Sequence, residues 1–99
     1  MPTDQCLIAV PLQTVLEICA LLGEGVARDY DDARDVHTQL ARIRADFPDA
    51  AALPVSVAQL RQLHQVLLVL CIFAGEEHRP GEQVTRFSRM ADTVRKMAA

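Results

Sequence analysis

The chain has no tryptophan, and three phenylalanines and one tyrosine bring its aromatic content to 4% of 99 residues. A core made from such a sequence has to be aliphatic. Basic residues are also scarce: ten, of which only Lys96 is a lysine, stand against thirteen acids, for a formal net charge of -3. No broad positive field exists to gather phosphate, which argues against nonspecific binding of nucleic acid or anionic lipid. Arginine-rich, lysine-poor usage with abundant alanine and valine is the composition of a GC-rich bacterial genome.

Cysteine is sparse and odd in number. Cys19 and Cys71 fall within apolar helical stretches, where thiols behave as small hydrophobes, and with Cys6 they disfavour a disulfide-stapled secreted domain. The opening Met-Pro-Thr-Asp-Gln-Cys carries an acid where a secretory leader carries bases. The longest apolar run, Val66 to Ala74, has nine residues and falls well short of the roughly 20 that span a bilayer. The expectation is a soluble cytoplasmic protein of one domain over residues 1–99, with a hydrophobic content of 51%.

What is present is helical patterning punctuated by proline and glycine. Cys6 to Val10 is a short β-prone piece stopped by Pro11, which then preorganises a helix to about Leu22, closed by Gly23 and Gly25. A second helix begins near Asp29, with Asp31, Asp32 and Asp35 at its positive end and Arg42 and Arg44 towards its negative end. Ala33, Val36, Leu40, Ile43 and Phe47 make its narrow apolar stripe until Pro48. After a second extended piece near 52–55, Ser56 and Gln59 form a capping box for a helix from Val57 to about Ala74, ended by Gly75. A last helix follows Pro80, with Val84, Phe87, Ala91 and Val94 as its stripe. The fold class is therefore all-α: four helices as two hairpins, about 11–47 and 56–98, forming a small bundle, with short extended segments near 7–10 and 52–55.

The hairpins resemble each other. Val10-Pro11 and Leu53-Pro54 open them, Cys-x-x-x-Gly-Glu recurs at Cys19 and Cys71, and Arg44 and Arg95 occupy matching places. The offset drifts from 43 to 52 residues because the second half has the longer first helix, as in a duplicated hairpin.

A helix apolar all round has to be covered all round. Taken as about 12 residues, the first helix is too short to cover the third, which leaves Val66, Leu67, Leu70 and Phe73 as the expected interface of a two-fold homodimer; the alternative is that the run is the central helix of a monomeric four-helix core. A second partner surface is suggested by charge: Tyr30 with Asp31 and Asp32 on one side, Arg86 and Arg89 on the other, complementary in sign and suited to protein recognition.

Catalytic patterns are thin. His37, His64, His78, Cys19, Cys71 and Glu76-Glu77 lack the spacings of zinc motifs, no oriented nucleophile is legible, and Gly23-Glu-Gly25 lacks the lysine and hydroxyl residue of a phosphate loop. No catalytic residue, cofactor or metal is expected. The expected function is a non-enzymatic adaptor, antagonist or regulatory subunit that binds itself and another protein. Alternatives are a small-ligand sensor with an apolar pocket between helices and a DNA-binding regulator, the latter opposed by long connectors and net charge.

Overall fold

The computed structural model describes residues 5–98; Asp4, the acid of the leader argument, lies outside them. The order is β1 (Leu7–Pro11), α1 (Leu12–Ala27), α2 (Asp31–Asp46), β2 (Ala52–Ser56), α3 (Val57–Glu76) and α4 (Gly81–Ala98). The four-helix bundle with two short extended segments is thus the observed architecture, and the two segments pair as an antiparallel ribbon.

Register explains why proline is tolerated in the ribbon. Leu7 faces Ser56, Ala9 faces Pro54 and Pro11 faces Ala52. Val57 N–H donates to the Cys6 carbonyl at 3.0 Å and Leu12 N–H to that of Ala51 at 2.9 Å, flanking the ladder. Because hydrogen-bonded pairs alternate in an antiparallel ladder, Ile8–Val55 and Val10–Leu53 carry the inward bonds. Pro11 and Pro54 therefore fall where the missing N–H would have pointed away from the partner strand. The same alternation turns Val10, Leu53 and Val55 into the core.

Ser56 caps α3 as expected: its hydroxyl accepts from Gln59 N–H at 3.1 Å, and the Gln59 side chain accepts from Ser56 N–H at 3.0 Å. Pro11 is the residue before α1 rather than its first helical position. The glycines do not end their helices. Gly23 and Gly25 lie inside α1, and Gly75 lies inside α3.

Both helices end instead on a non-glycine residue in the left-handed region, Asp29 at φ 59° and His78 at φ 56°. Around each runs the same double bond: Tyr30 N–H to Gly25 O with Asp29 N–H to Val26 O, and Arg79 N–H to Ala74 O with His78 N–H to Gly75 O. This is the Schellman closure, which satisfies carbonyls the helix itself cannot. Asp and His are among the residues that tolerate the left-handed region best without being glycine.

The longer α1 changes the coverage argument. At 16 residues against 20, α1 reaches roughly 24 Å beside roughly 30 Å for α3. Val66, Leu67 and Leu70 are buried within the chain, in one aliphatic cluster with Ile18, Leu22, Val36, Leu40, Leu60, Leu63, Phe87 and Val94. By length and composition α3 could cross a membrane; here it is the central core helix, with seven buried residues.

Candidate interaction surfaces

Three surfaces are built by this packing. The first lies where the two hairpin turns meet. Arg28, at the end of α1, pairs with Glu77 at the end of α3. Arg79, just beyond α3, pairs with Glu24 of α1 at 2.6 Å and with Glu77 at 3.1 Å. The Arg28 guanidinium also lies 5.7 Å from the centre of the Phe73 ring, and the Tyr30 ring meets Phe73 edge-on at 6.1 Å. The Arg28 hydrogen bond, reinforced by both arginine charges, holds the Glu77 carboxyl below its usual range. Burial, with Asp32 beside it, pushes the Tyr30 hydroxyl up. Phe73 and Tyr30 therefore belong to an internal clamp between hairpins, which sequence alone did not disclose.

The second surface is a groove of about 340 Å³ between α1 and α4, lined by Glu17, Leu21, Arg86, Arg89, Met90 and Thr93. Leu21 and Met90 are buried and form an apolar floor. Arg86 and Arg89, three apart and both exposed, share one side of α4. Neither forms an ion pair among the described residues, whereas Arg28, Arg34, Arg79 and Arg95 all do.

The third is the outer side of α3. Leu68 is 42% exposed and Ile72 59%, one helical turn apart. The part of the apolar run left uncovered is therefore Leu68 and Ile72, rather than Val66, Leu67 and Leu70. Phe73 is half-buried in the clamp.

The acidic residues of the charge argument stand elsewhere than its basic ones. Asp31 and Asp32 are exposed in the first turn of α2, where Asp31 lies 3.9 Å from Arg34. Arg86 and Arg89 border the α1–α4 groove. Tyr30, Asp31 and Asp32 do not line that groove.

Between α2 and α3, the Gln59 side-chain amide donates to that of Gln39 at 3.0 Å and Gln62 donates to the Asp35 carboxylate at 3.2 Å. The Cys71 thiol donates to the Val84 carbonyl at 3.6 Å, and burial pushes the Cys19 thiol up against the opposing pull of Arg44. Among the described residues no three His, Cys, Asp or Glu side chains come together as a metal-binding group. The gap lined by Val36, Gln39, Leu40, Gln59 and Leu63, between α2 and α3, has no room for water. Comparison with family models, with curated proteins and with solved structures finds no match.

Proposed function

We propose that the chain is a non-catalytic protein-binding module whose α1–α4 groove takes an acidic, partly apolar segment of a partner protein. The observation that carries this reading is the pair Arg86 and Arg89. In a chain of net charge -3, these two guanidiniums have no ion-pair partner among the described residues and stand beside an apolar floor of Leu21 and Met90. Surface arginines without carboxylate partners are available to a ligand's carboxylates, which arginine can hold through two parallel hydrogen bonds. Leu21 and Met90 supply the apolar contact that charge alone would lack, and methionine adapts its shape to an irregular occupant. The groove is open to solvent on one side, which suits a surface segment of a partner better than an enclosed small molecule. Glu17 on the opposite wall gives the site polarity, favouring an acidic stretch placed along α4 rather than along α1.

The test is selection of displayed peptides on the immobilised protein, followed by affinity measurement on the R86E/R89E variant. Acidic peptides with interspersed apolar residues should be enriched, and the double reversal should weaken them at least about tenfold, more at low salt. Enrichment without acidic bias, or peptides that bind the variant equally, would remove the groove from the proposal.

A further inference from the structure

Each hairpin carries a groove between its two helices, and the two grooves differ in chemistry. The first runs between α1 and α2, holds about 420 Å³, and has Arg44 as its one charged lining residue. Its other lining side chains, from Leu12, Leu16, Ala41, Ala45, Phe47 and Pro48, are all apolar. Leu16 is 37% exposed and Phe47 47%, two of the five large hydrophobics left at the described surface. Exposed apolar side chains gathered around a single charge have the character of a ligand site, which scattered ones lack.

The second hairpin supplies the comparison. Its groove lies between α3 and α4 and is lined by Arg61, His64, Gln65, Arg95 and Ala98. Counted from the first residues of α1 and α3, Leu16 corresponds to Arg61; counted from the matching arginines, Phe47 corresponds to Ala98. Arg95 is balanced within its own helix, donating to Asp92, three residues earlier, at 2.7 Å. The residue three before Arg44 is Ala41. Arg44 lies beside the Cys19 thiol and forms no ion pair among the described residues. It stands in the last turn of α2, whose carbonyl end amounts to about half a negative charge, so part of the guanidinium charge stays unmatched.

We infer that the α1–α2 groove binds a small apolar monocarboxylic acid, its carboxylate on Arg44 and its body along Leu16 and Phe47. One guanidinium suits one carboxylate, which it can hold through two parallel N–H···O bonds. Apolar walls suit a ligand with no second polar group. A polyanion would find no second cation in the lining. A peptide would set its backbone amides against Leu, Phe and Pro side chains that offer them no hydrogen bond. The volume lies in the range of small-molecule sites. This site shares no lining residue with the α1–α4 groove.

The probe is octanoate, with phenylacetate as its aryl counterpart, titrated into the chain and followed by amide chemical shifts. Saturable shifts should cluster on Leu16, Ala41, Arg44 and Phe47. Octanamide, the uncharged analogue of the same length, should bind at least about tenfold more weakly than octanoate. Arg44→Gln should weaken octanoate by a similar factor. Ala41→Asp, which gives Arg44 the intrahelical partner that Arg95 has, should do the same with an unchanged helical circular-dichroism spectrum, while Arg95→Gln should leave the affinity as it is. No saturable shift at these residues with either acid, octanamide binding as tightly as octanoate, or a folded R44Q that binds undiminished overturns the inference, as do shifts centred on Leu68 and Ile72. Tighter binding at the same residues by a peptide with a free C-terminal leucine also overturns it, since the occupant would then be a chain terminus. Should R44Q or A41D fail to fold, the comparison of octanoate with octanamide on the wild-type chain decides.

Discussion

Glycine shows how far a single residue's role depends on what stands beside it. Gly23, Gly25 and Gly75 look alike in sequence, each near the end of an apolar helix, and all three sit within helices. A Cβ at Gly25 would come within 2.5 Å of the Ala33 Cβ and 3.1 Å of a Leu70 methyl, so its bareness lets α1, α2 and α3 converge. At Gly23 and Gly75 an added Cβ would meet nothing within 4 Å. Gly25→Ala should therefore destabilise by about 1–3 kcal/mol through overpacking. Gly23→Ala and Gly75→Ala should stabilise by about 0.5–1 kcal/mol each, because alanine loses less backbone freedom in a helix. Urea midpoints of the three variants check this, and a destabilised G75A would show that its helical end needs glycine after all. Sequence could not separate the three: the left-handed residues that close the turns are Asp29 and His78, and what makes Gly25 different is a neighbour on another helix.

Among the elements, α3 was the most legible in its existence and the least legible in its surface. Ser56 and Gln59 fixed its start through a local hydrogen-bond exchange that depends on two residues three apart, so spacing alone sufficed. Its nine-residue apolar run announced burial, but a run apolar on every side carries no periodicity to say which side stays open. That was set by the true length of α1 and by α4, and both are tertiary facts. Leu70 meets Gly25 inside, whereas Leu68 and Ile72 face outward. Leu70→Asp should accordingly unfold the chain, since an unpaired buried carboxylate exceeds about 4 kcal/mol. Leu68→Asp should leave stability within about 0.5 kcal/mol. Circular dichroism with urea titration separates the two, and a folded L70D would mean that Leu70 lies on an open face. Groove residues followed the same logic: Arg86 and Arg89 were visible as unbalanced charge, while Glu17 and Leu21 became their neighbours only through the packing of α1 beside α4.

Across the whole molecule the two hairpins correspond more closely than their sequences suggest. Leu7 and Ala52, and Leu12 and Val57, stand 45 residues apart at the starts of strands and helices, while the closing residues Asp29 and His78 stand 49 apart. The difference is the four extra residues of α3, about one helical turn, which preserves the face a helix presents to its neighbours. That is why an apparently drifting offset is compatible with matched halves paired about Ala9 and Pro54.

The clamp at the opposite end of each hairpin, Arg28 with Glu77 and Arg79 with Glu24, couples the halves across the repeat. The Glu77 carboxylate makes that coupling sensitive to acid. Glu77 titrates below its ordinary value of 4.5 in the folded chain because the Arg28 hydrogen bond, with help from Arg79, favours its charged form. A group depressed on folding contributes stability that is complete above its unfolded value and is lost as pH falls through the folded one. Stability should thus be level near neutrality and decline below the ordinary carboxylate range. Asp92, held low by Arg95 and Lys96 within α4, adds a second, local share to the same limb. Glu77→Gln should flatten only the share that joins the hairpins, so its loss of stability between about pH 7 and about pH 3 should be smaller than that of the wild type. Urea midpoints at both pH values measure it, and an acid limb unchanged by E77Q would place the coupling elsewhere, in the aliphatic core shared by α1 and α3.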